Sequence, residues 1–267
     1  MFLIFLGITN LSFSAFFITL HILRFNNWLD NAILTVSTSG NSGMINNQFK
    51  NLENISSLQK SNVVKKVFDD VHKNYDLMND IMSIGMHRLW KSQVFELINP
   101  KKNDKFMDLA GGSGDLSKII KQKYGKSNCI LVDSNQNMID EAKKKLVDLD
   151  INFVTAEAEK LPFRNNEFDF ILCAFGIRNF FDINLALSEI NRTLKPGGQF
   201  VCLEFSKVNT KLFRVCFELY CKIIPKFGKI FAKNSDAYDY LIESIKIFPN
   251  QIALTKILSN NGFKTIK

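Results

Sequence analysis

The sequence predicts an α/β protein with a doubly wound, mostly parallel, Rossmann-like sheet, and three observations support this fold class. Apolar runs of strand length alternate with segments of helical periodicity over residues 106–205. A glycine-rich turn over residues 110–114 separates the first strand from the first helix. The second strand then ends on an acid, Asp133. Because ligands of such folds bind at the carboxyl ends of the strands, we expect the functional site there.

The elements follow in order from that turn. The first strand begins at Phe106, and Leu116, Ile119 and Ile120 mark one face of the helix over residues 115–124. The remaining predicted elements are a strand over residues 129–132, a helix over 136–148, strands over 151–155 and 168–175, a helix over 183–194, a turn over 195–198 and a strand over 199–205.

The glycine turn has the character of a nucleotide site. Gly111, Gly112 and Gly114 allow the backbone to turn sharply and approach a ligand, and the following helix start presents free N–H groups. Asp133, about twenty residues further on, is placed to accept hydrogen bonds from ribose hydroxyls. A dinucleotide turn would place a third glycine where Ser117 stands. S-adenosylmethionine is therefore favoured over a nicotinamide dinucleotide, although the turn alone leaves both open.

Composition narrows the choice of partners. The chain has 267 residues, of which 46% are hydrophobic, so it can bury one α/β domain and carry an extension. Its net charge of +8 suits a membrane surface or anionic metabolites. The sequence lacks an arginine-rich arm and an RNA-binding aromatic signature, so no nucleic acid is expected. The five cysteines lack metal-site spacing, so no metal is expected and a reducing compartment fits best.

The chain divides into three parts. Residues 1–24 form a hydrophobic targeting or anchor segment, because residues 1–20 carry no charge and could just cross a bilayer. An extension without such a role is the alternative. Residues 25–61 are rich in Asn and Ser and predict a linker. Residues 62–267 form the main domain.

The main domain begins with an amphipathic segment over residues 63–91. Apolar residues at helical spacing give way to aromatic and Met side chains among Asn, Asp, His and Arg. This mixture predicts either a flexible lid over a partly apolar pocket or a helical layer that covers the sheet. The pattern does not separate the two interpretations.

Several motifs together resemble a known family. The glycine turn, the acidic loop before residues 165–169 and the LKPGGQF segment resemble class I S-adenosylmethionine-dependent methyltransferases. A closer resemblance, covering the chain from about Val63 onwards, is to the ubiquinone/menaquinone biosynthesis C-methyltransferase family. The motifs that carry it lie at residues 75–80, 85–91, 175–179 and 203–207.

The resemblance implies a set of cofactor-binding positions. Besides the glycines Gly111, Gly112 and Gly114, the family's cofactor-binding residues correspond here to Ser113, Asp133, Glu157, Ala158 and Ala174. Ser113 keeps the hydroxyl of the family's Thr. Glu157 and Ala174 depart from the family's Asn and Ser. We therefore expect altered affinity for S-adenosylmethionine rather than loss of the site.

The resemblance also implies methylation of a ring carbon of a polyprenylated quinol. Loss of a phenolic proton activates the ring, so the site needs a partner for the oxyanion and a route for the proton. Arg178 is expected to stabilise the oxyanion or orient a water, since a guanidinium stays protonated in proteins and is a poor base. A structural salt bridge is its alternative role. Tyr75 and His87 are expected to hold quinol oxygens, and Asn179 to orient Arg178 or the substrate; a hydrogen-bonded lid histidine is the alternative for His87.

The implied substrate is the 2-methoxy-6-polyprenyl-1,4-benzoquinol of ubiquinone biosynthesis, with demethylmenaquinol still open. The N-terminal extension favours a mitochondrial protein, peripheral on the matrix side of the inner membrane. Residues 211–233 form a basic amphipathic segment, either a contact for prenyl tail and anionic lipid or a core helix. A multi-protein quinone-biosynthesis complex is a further expected partner. The competing hypotheses are a non-catalytic cofactor-binding scaffold and a nicotinamide-dependent oxidoreductase.

The C-terminal end departs from the family pattern. The family continues into a seventh strand, whereas this sequence ends at Lys267. The last strand and part of the sixth are therefore expected to be missing, which would leave an unpaired edge in the sheet.

Overall fold

The structure is a computed structural model that describes residues 2–7, 57–72, 75–83, 85–125, 127–206, 236–264 and 266. Most of the predicted anchor and linker, and all of the basic segment 211–233, lie outside these residues. The predicted linker ends earlier than expected, because the first helix already begins at Ser57. Within the described residues, no helix combines the length and apolar character needed to cross a bilayer.

In the described part of the chain, six parallel strands form one sheet in the order β1-β6-β5-β2-β3-β4. The strands are β1 (Phe2–Gly7), β2 (Lys105–Leu109), β3 (Asn128–Asp133), β4 (Asn152–Thr155), β5 (Phe168–Ala174) and β6 (Leu194–Glu204). The chain order reverses between β2 and β5, which places a topological switch point at the carboxyl ends of these two strands. The predicted fold class is confirmed.

Helices pack around this sheet. They are α1 (Ser57–Val71), α2 (Tyr75–Ser83), α3 (Met86–Gln93), α4 (Asp115–Tyr124), α5 (Gln136–Lys145), α6 (Ile183–Thr193), α7 (Asp236–Ile247) and α8 (Gln251–Asn260), with 3-10 turns at Val94–Glu96 and Ile177–Asn179. We call α1, α2 and α3 the lid.

The edge of the sheet next to β6 is paired. Phe2 lies opposite Gln199 and Gly7 opposite Glu204, so β1 runs along β6 in a continuous parallel register. The prediction of an unpaired edge at this side was therefore wrong, because an apolar segment far away in sequence supplies the missing backbone partners.

In the sheet and its connecting helices, two element boundaries differ from prediction by three residues or more. The strand β6 begins at Leu194 and includes residues 195–198, which were predicted as a turn. Leu194 pairs with Phe168 and Gln199 with Phe170, so the glycines are accommodated as an irregularity in the register. The helix α5 ends at Lys145, before its predicted end at Asp148.

Both faces of the sheet are buried. In β2, Phe106 and Met107 point to opposite faces because strand side chains alternate. One face packs against α6 and α8 through residues such as Ile190 and Leu254. The other packs against α3 and α4, with Trp90 almost fully enclosed. This two-sided core fixes the carboxyl ends of the strands, where the candidate site lies.

Candidate cofactor and substrate site

The glycine turn is tightly folded at the carboxyl end of β2. Gly111 N donates to the carbonyl oxygen of Val132 at 3.1 Å, and Gly114 N donates to that of Gly111 at 2.9 Å. Ala110 and Gly112 have positive φ values of 53° and 56°. A positive φ is costly for a residue with a Cβ, so the strain at Ala110 marks a backbone held in place by its surroundings.

A buried acid supports this turn from below. Asp108, only 1% exposed, accepts hydrogen bonds from Ser117 N at 2.9 Å and Ser117 Oγ at 2.7 Å. Burial raises its pKa to about 6, although the Ser117 bonds oppose the shift. A Cβ on Gly111 would lie 3.0 Å from Asp108 Cγ and 2.7 Å from Leu131 Cγ, so only glycine fits there. Sequence reasoning missed Asp108, whose signal is an acid inside an apolar strand just before the glycines.

Asp133 lies at the tip of β3 and is bound to the same turn. Its Oδ2 accepts from Gly112 N and its Oδ1 from Asn135 N, both at 2.9 Å. Burial raises the pKa of Asp133, although these N–H donors oppose the shift. A carboxylate has about four acceptor positions, so these backbone bonds leave acceptor capacity for a ligand. The predicted acid is therefore oriented and still able to accept hydrogen bonds.

A cavity of about 190 Å³ opens above the turn and brings many predicted residues together. Of the predicted residues, Tyr75, Gly112, Asp133, Glu157, Ala158 and Asn179 line it. The lid contributes Val64, Lys65 and Phe68, and the end of β5 contributes Phe175 and Gly176. The cavity thus lies at the topological switch point, between the sheet edge and the lid.

Helix α1 is bound to the start of α5. Asp69 Oδ1 accepts from Asn135 Nδ2 at 2.8 Å and from Asn137 Nδ2 at 2.9 Å. Phe68 and Tyr75 pack with their ring centroids 5.9 Å apart. The structure therefore shows the amphipathic segment as a helical layer over the cavity, and the flexibility of this lid stays a prediction.

Ser113 faces the lid. Its Oγ donates to Asp76 Oδ1 at 2.6 Å, and Lys145 Nζ lies 3.3 Å from the same hydroxyl. Ser113 is not among the described residues that line the cavity. Its predicted contact with a cofactor stays a prediction.

Asp115, the first residue of α4, joins two lysines. Lys91 Nζ lies 2.8 Å from Asp115 Oδ2, and Lys145 Nζ lies 2.7 Å from Asp115 Oδ1. Burial opposes ionisation of Asp115, but the two lysines outweigh it and hold its pKa well below the usual range. Lys145 also pairs with Asp76 at 2.7 Å, so it connects the lid, the glycine turn and α5.

His87 belongs to the same network. Its Nε2 lies 2.9 Å from Asp80 Oδ1, and Arg88 binds both carboxylate oxygens of Asp80. Burial lowers the pKa of His87, although Asp80 opposes the shift. His87 is not among the described residues that line either cavity. The alternative of a hydrogen-bonded lid histidine matches this placement, and its contact with a quinol oxygen stays a prediction.

Arg178 takes part in a buried ion pair. Its Nη1 donates to Glu204 Oε1 at 2.7 Å and to the carbonyl oxygen of Phe175 at 2.6 Å, and its Nε donates to Ser244 Oγ at 3.3 Å. Glu204 is fully buried, and burial raises its pKa although Arg178 opposes the shift. The predicted salt-bridge alternative is thus present in the structure. The action of Arg178 on an oxyanion stays a prediction.

A smaller cavity of about 20 Å³ lies between the lid and α7. Its lining consists of Val67, Phe68, Tyr75, Met78, Asn79, Arg178, Tyr240 and Leu241. Phe68 and Tyr75 line both cavities. Burial raises the pKa of Tyr75, so its phenol stays a neutral hydrogen-bond donor at ordinary pH. Tyr75 and Arg178 therefore both line this small cavity, and their action on a substrate stays a prediction.

The end of β5 completes the site with backbone rather than side chains. Ala174 pairs with Leu203 and packs against the core. The next residue, Phe175, has a φ of 60°. A Cβ on Gly176 would lie 2.6 Å from Ala110 Cβ. The loops after β2 and β5 thus approach each other closely, and Ala174 is not among the described residues lining either cavity.

Solved structures share the fold described above. The chain resembles a SAM dependent methyltransferase from Aquifex aeolicus, with 17% identity and a TM-score of 0.51 over 70% of this chain and 87% of that one. It also resembles the [4+2]-cyclase SpnF, with 14% identity and a TM-score of 0.54 over 72% of this chain and 90% of that one. At such identities the likeness concerns the fold, which is that of class I methyltransferases.

Sequence relatives identify the family. The profile of the ubiE/COQ5 methyltransferase family matches residues 56–267. The ubiquinone/menaquinone biosynthesis C-methyltransferase UbiE of Rickettsia bellii is 46% identical over 221 residues, which are 79% of this chain and 89% of that protein. The UbiE of Rickettsia prowazekii is 44% identical over 232 residues, 84% of this chain and 93% of that protein. The chain belongs to the ubiE/COQ5 methyltransferase family, and the predicted resemblance is confirmed.

Proposed function

We propose that this chain is an S-adenosylmethionine-dependent C-methyltransferase that methylates a ring carbon of a polyprenylated quinol. The observation that carries the proposal is the cavity itself. It joins a carboxylate at the tip of β3, held by the glycine turn, to Asn179 at the end of β5. Family membership supports the same reaction class.

The residues present fit S-adenosylmethionine, which when bound supplies an electrophilic methyl group. Asp133 offers acceptor positions for ribose hydroxyls, and Glu157 can accept from an adenine amino group. A Cβ at Gly112 would lie 3.3 Å from Met138 Cε and 3.4 Å from Tyr75 Cε1, so its absence keeps the cavity floor open. The turn lacks the third glycine of a dinucleotide site, which counts against an oxidoreductase.

The protein's own groups would act on the substrate oxygens. A quinol ring carbon becomes a better nucleophile as its phenolic oxygen loses a proton, and a nearby cation or donor favours that charge. Arg178 faces the small cavity, and its Nη1 and Nε are already engaged. Since Glu204 balances its charge, Arg178 would act mainly as a directed hydrogen-bond donor through Nη2. Tyr75, which lines both cavities, would donate to a second substrate oxygen.

We propose 2-methoxy-6-polyprenyl-1,4-benzoquinol as the substrate, which assigns the chain to ubiquinone biosynthesis on the matrix side of the mitochondrial inner membrane. The name of the Rickettsia relatives includes both quinones, which supports demethylmenaquinol as a second candidate. Two observations support the non-catalytic scaffold as the remaining alternative. Arg178 is already paired with the buried Glu204, and Glu157 and Ala174 replace the family's Asn and Ser. A scaffold would sit in a multi-protein quinone-biosynthesis complex.

Transfer of a tritiated methyl group tests the proposal. The purified chain is incubated with methyl-labelled S-adenosylmethionine and each reduced quinol, and the lipid fraction is counted. We expect label in the methoxy-quinol, and we expect Arg178→Ala to lower turnover at least about 100-fold. Arg164→Ala, on the surface, is the matched control.

The alternatives give different results. Label in demethylmenaquinol alone would correct the substrate. A folded protein that binds S-adenosylmethionine but labels neither quinol would support the scaffold. Equal turnover by Arg178→Ala and the native chain would remove Arg178 from the mechanism.

A further inference from the structure

The helix α7 contacts both residues of the Arg178–Asn179 pair. Tyr240 OH donates to Asn179 Oδ1 at 2.9 Å, and Ser244 Oγ accepts from Arg178 Nε at 3.3 Å. Tyr240 and Ser244 are four residues apart, so they lie on one face of the helix. Tyr240 is 3% exposed and Ser244 is 2% exposed. One buried helix face therefore contacts two neighbouring residues of the proposed reaction site.

The Tyr240 contact determines which way the Asn179 amide faces. An amide has one oxygen that accepts and one nitrogen that donates. Because Oδ1 is bound to the Tyr240 hydroxyl, Nδ2 takes the opposite position, where it lies 3.5 Å from the carbonyl oxygen of Phe175. The NH₂ group has two hydrogens and this long contact engages at most one, so the group keeps a donor for a ligand in the cavity that Asn179 lines.

The Ser244 contact determines the orientation of the Arg178 guanidinium. The Ser244 hydroxyl donates its hydrogen to the carbonyl oxygen of Leu241 at 2.8 Å, which leaves an oxygen lone pair for Arg178 Nε. Glu204 and Phe175 hold Nη1 from the other side. A planar group held at two of its three nitrogens cannot rotate, so the direction of Nη2 is fixed.

We propose that Tyr240 and Ser244 are positioning residues for methyl transfer: Tyr240 presents the amide donor of Asn179, and Ser244 aligns Arg178 with the substrate oxygen. This inference rests on the proposed function. Small misplacements of reacting groups are expensive, and a shift of about 1 Å can cost about 100-fold in rate. The two side chains act through Arg178 and Asn179 rather than on the cofactor.

Three variants test the proposal against a control on the same helix. Tyr240→Phe removes the hydroxyl and keeps the ring, Ser244→Ala removes the acceptor, and Ser244→Thr restores it. Lys246→Gln changes a half-exposed residue paired within α7. We expect Tyr240→Phe and Ser244→Ala each to lower kcat about tenfold, while their affinity for S-adenosylmethionine stays within about twofold of native. Ser244→Thr and Lys246→Gln should keep native kcat.

A resonance of the Arg178 side chain can be measured without running the methylation reaction. In protein labelled with ¹⁵N-arginine, the Nε–H resonance of Arg178 is identified by its absence in Arg178→Lys. We expect this resonance to shift and exchange faster with solvent in Ser244→Ala, and to return in Ser244→Thr, because the hydroxyl is its acceptor.

The activity of the native chain distinguishes failure of the positioning proposal alone from failure of the proposed function. If the native chain methylates a quinol and the Tyr240→Phe and Ser244→Ala variants keep native kcat, positioning is wrong and the function stands. A parallel loss of cofactor affinity and cooperative unfolding in both variants would also overturn positioning, because it shows a purely structural role. If the native chain methylates no quinol, both proposals fail together.

Discussion

At the scale of single residues, the site depends on carboxyl groups that are buried but accept hydrogen bonds from nearby donors. Asp108 and Glu204 are both almost completely buried, and each accepts hydrogen bonds from a nearby partner. A buried carboxylate without such partners would cost several kcal/mol. Burial still raises the pKa of both groups, so ionising them works against folding.

The raised pKa of Asp108 makes a prediction about stability and pH. Because the folded value of about 6 exceeds the ordinary 3.8, its contribution is fully present below pH 3.8 and lost as pH rises through 6. The total is about 3 kcal/mol, of which about 1.4 kcal/mol falls between pH 5 and pH 8. We expect Asp108→Asn to gain this amount relative to the native chain between those pH values, measured by urea unfolding.

Ser117→Ala tests the physical cause. The Ser117 hydroxyl stabilises the ionised form of Asp108, so its removal should raise the Asp108 pKa further and steepen the loss of stability. An unchanged pH profile in both variants would show that another group controls this range.

Local spacing identified some residues of the site but not their partners. The glycines and Asp133 could be predicted because their roles follow from a short motif. The bond between Ser113 and Asp76 spans 37 residues, and the Arg178–Glu204 pair spans 26. Such partners depend on how elements pack, which sequence periodicity does not encode. The salt-bridge role of Arg178 could therefore be stated only as an alternative.

At the scale of elements, the lid is joined to the domain through carboxylates. Asp69 in α1 binds the start of α5, Asp76 in α2 binds Ser113, and Lys91 in α3 binds Asp115. Trp90 anchors α3 in the apolar core, whereas the contacts of the lid around the glycine turn are polar. Contacts of this kind can break and re-form at lower cost than a packed apolar interface.

Removal of Lys145 should loosen the lid. Lys145 binds both Asp76 and Asp115 at 2.7 Å, and its loss removes the connection between α2 and α5. We expect Lys145→Met to cost about 1 kcal/mol in stability, since these partners are only partly buried. Amide hydrogens of α2 should exchange faster, while those of β2 and β5 stay protected, as measured by hydrogen exchange.

Lys144→Met is the matched control. Lys144 is the neighbouring residue and pairs with Glu141 inside α5, away from the lid. Faster exchange of α2 in this control, or uniform loss of protection across the sheet in Lys145→Met, would contradict a local role for Lys145.

The order of strands and helices could be predicted from the sequence, whereas the start of β6 and the pairing at the edge of the sheet could not. Alternating apolar runs predict β2 to β6 and the helices between them, because each pattern reflects one buried face. The strand β6 starts earlier than predicted because the Lys195–Gly198 backbone continues along β5 despite its glycines. The pairing of β1 with β6 joins segments almost two hundred residues apart, and no local pattern encodes it.

At the scale of the whole molecule, the cavity is formed by parts that fold from distant segments of the chain. The turn after β2, the tip of β3, the loop after β5 and the lid all contribute lining residues. A ligand that binds these parts together stabilises the folded state only, because the unfolded chain has no such cavity. Ligand binding and global stability are therefore linked.

This linkage gives the last prediction. At a concentration about 100 times its Kd, S-adenosylmethionine should stabilise the chain by about 2.7 kcal/mol, which raises Tm by roughly 5–10 °C. Asp133→Asn should reduce the shift to less than half. Its amide offers one oxygen where the carboxylate serves both Gly112 N and Asn135 N, so turn and ligand lose acceptors together. Asp140→Asn, on the exposed side of α5, should keep the native shift. A comparable shift produced by a pyridine dinucleotide and absent with S-adenosylmethionine would contradict the methyltransferase proposal, because the cavity would then hold a diphosphate although the turn has Ser117 in place of the third glycine of a dinucleotide site.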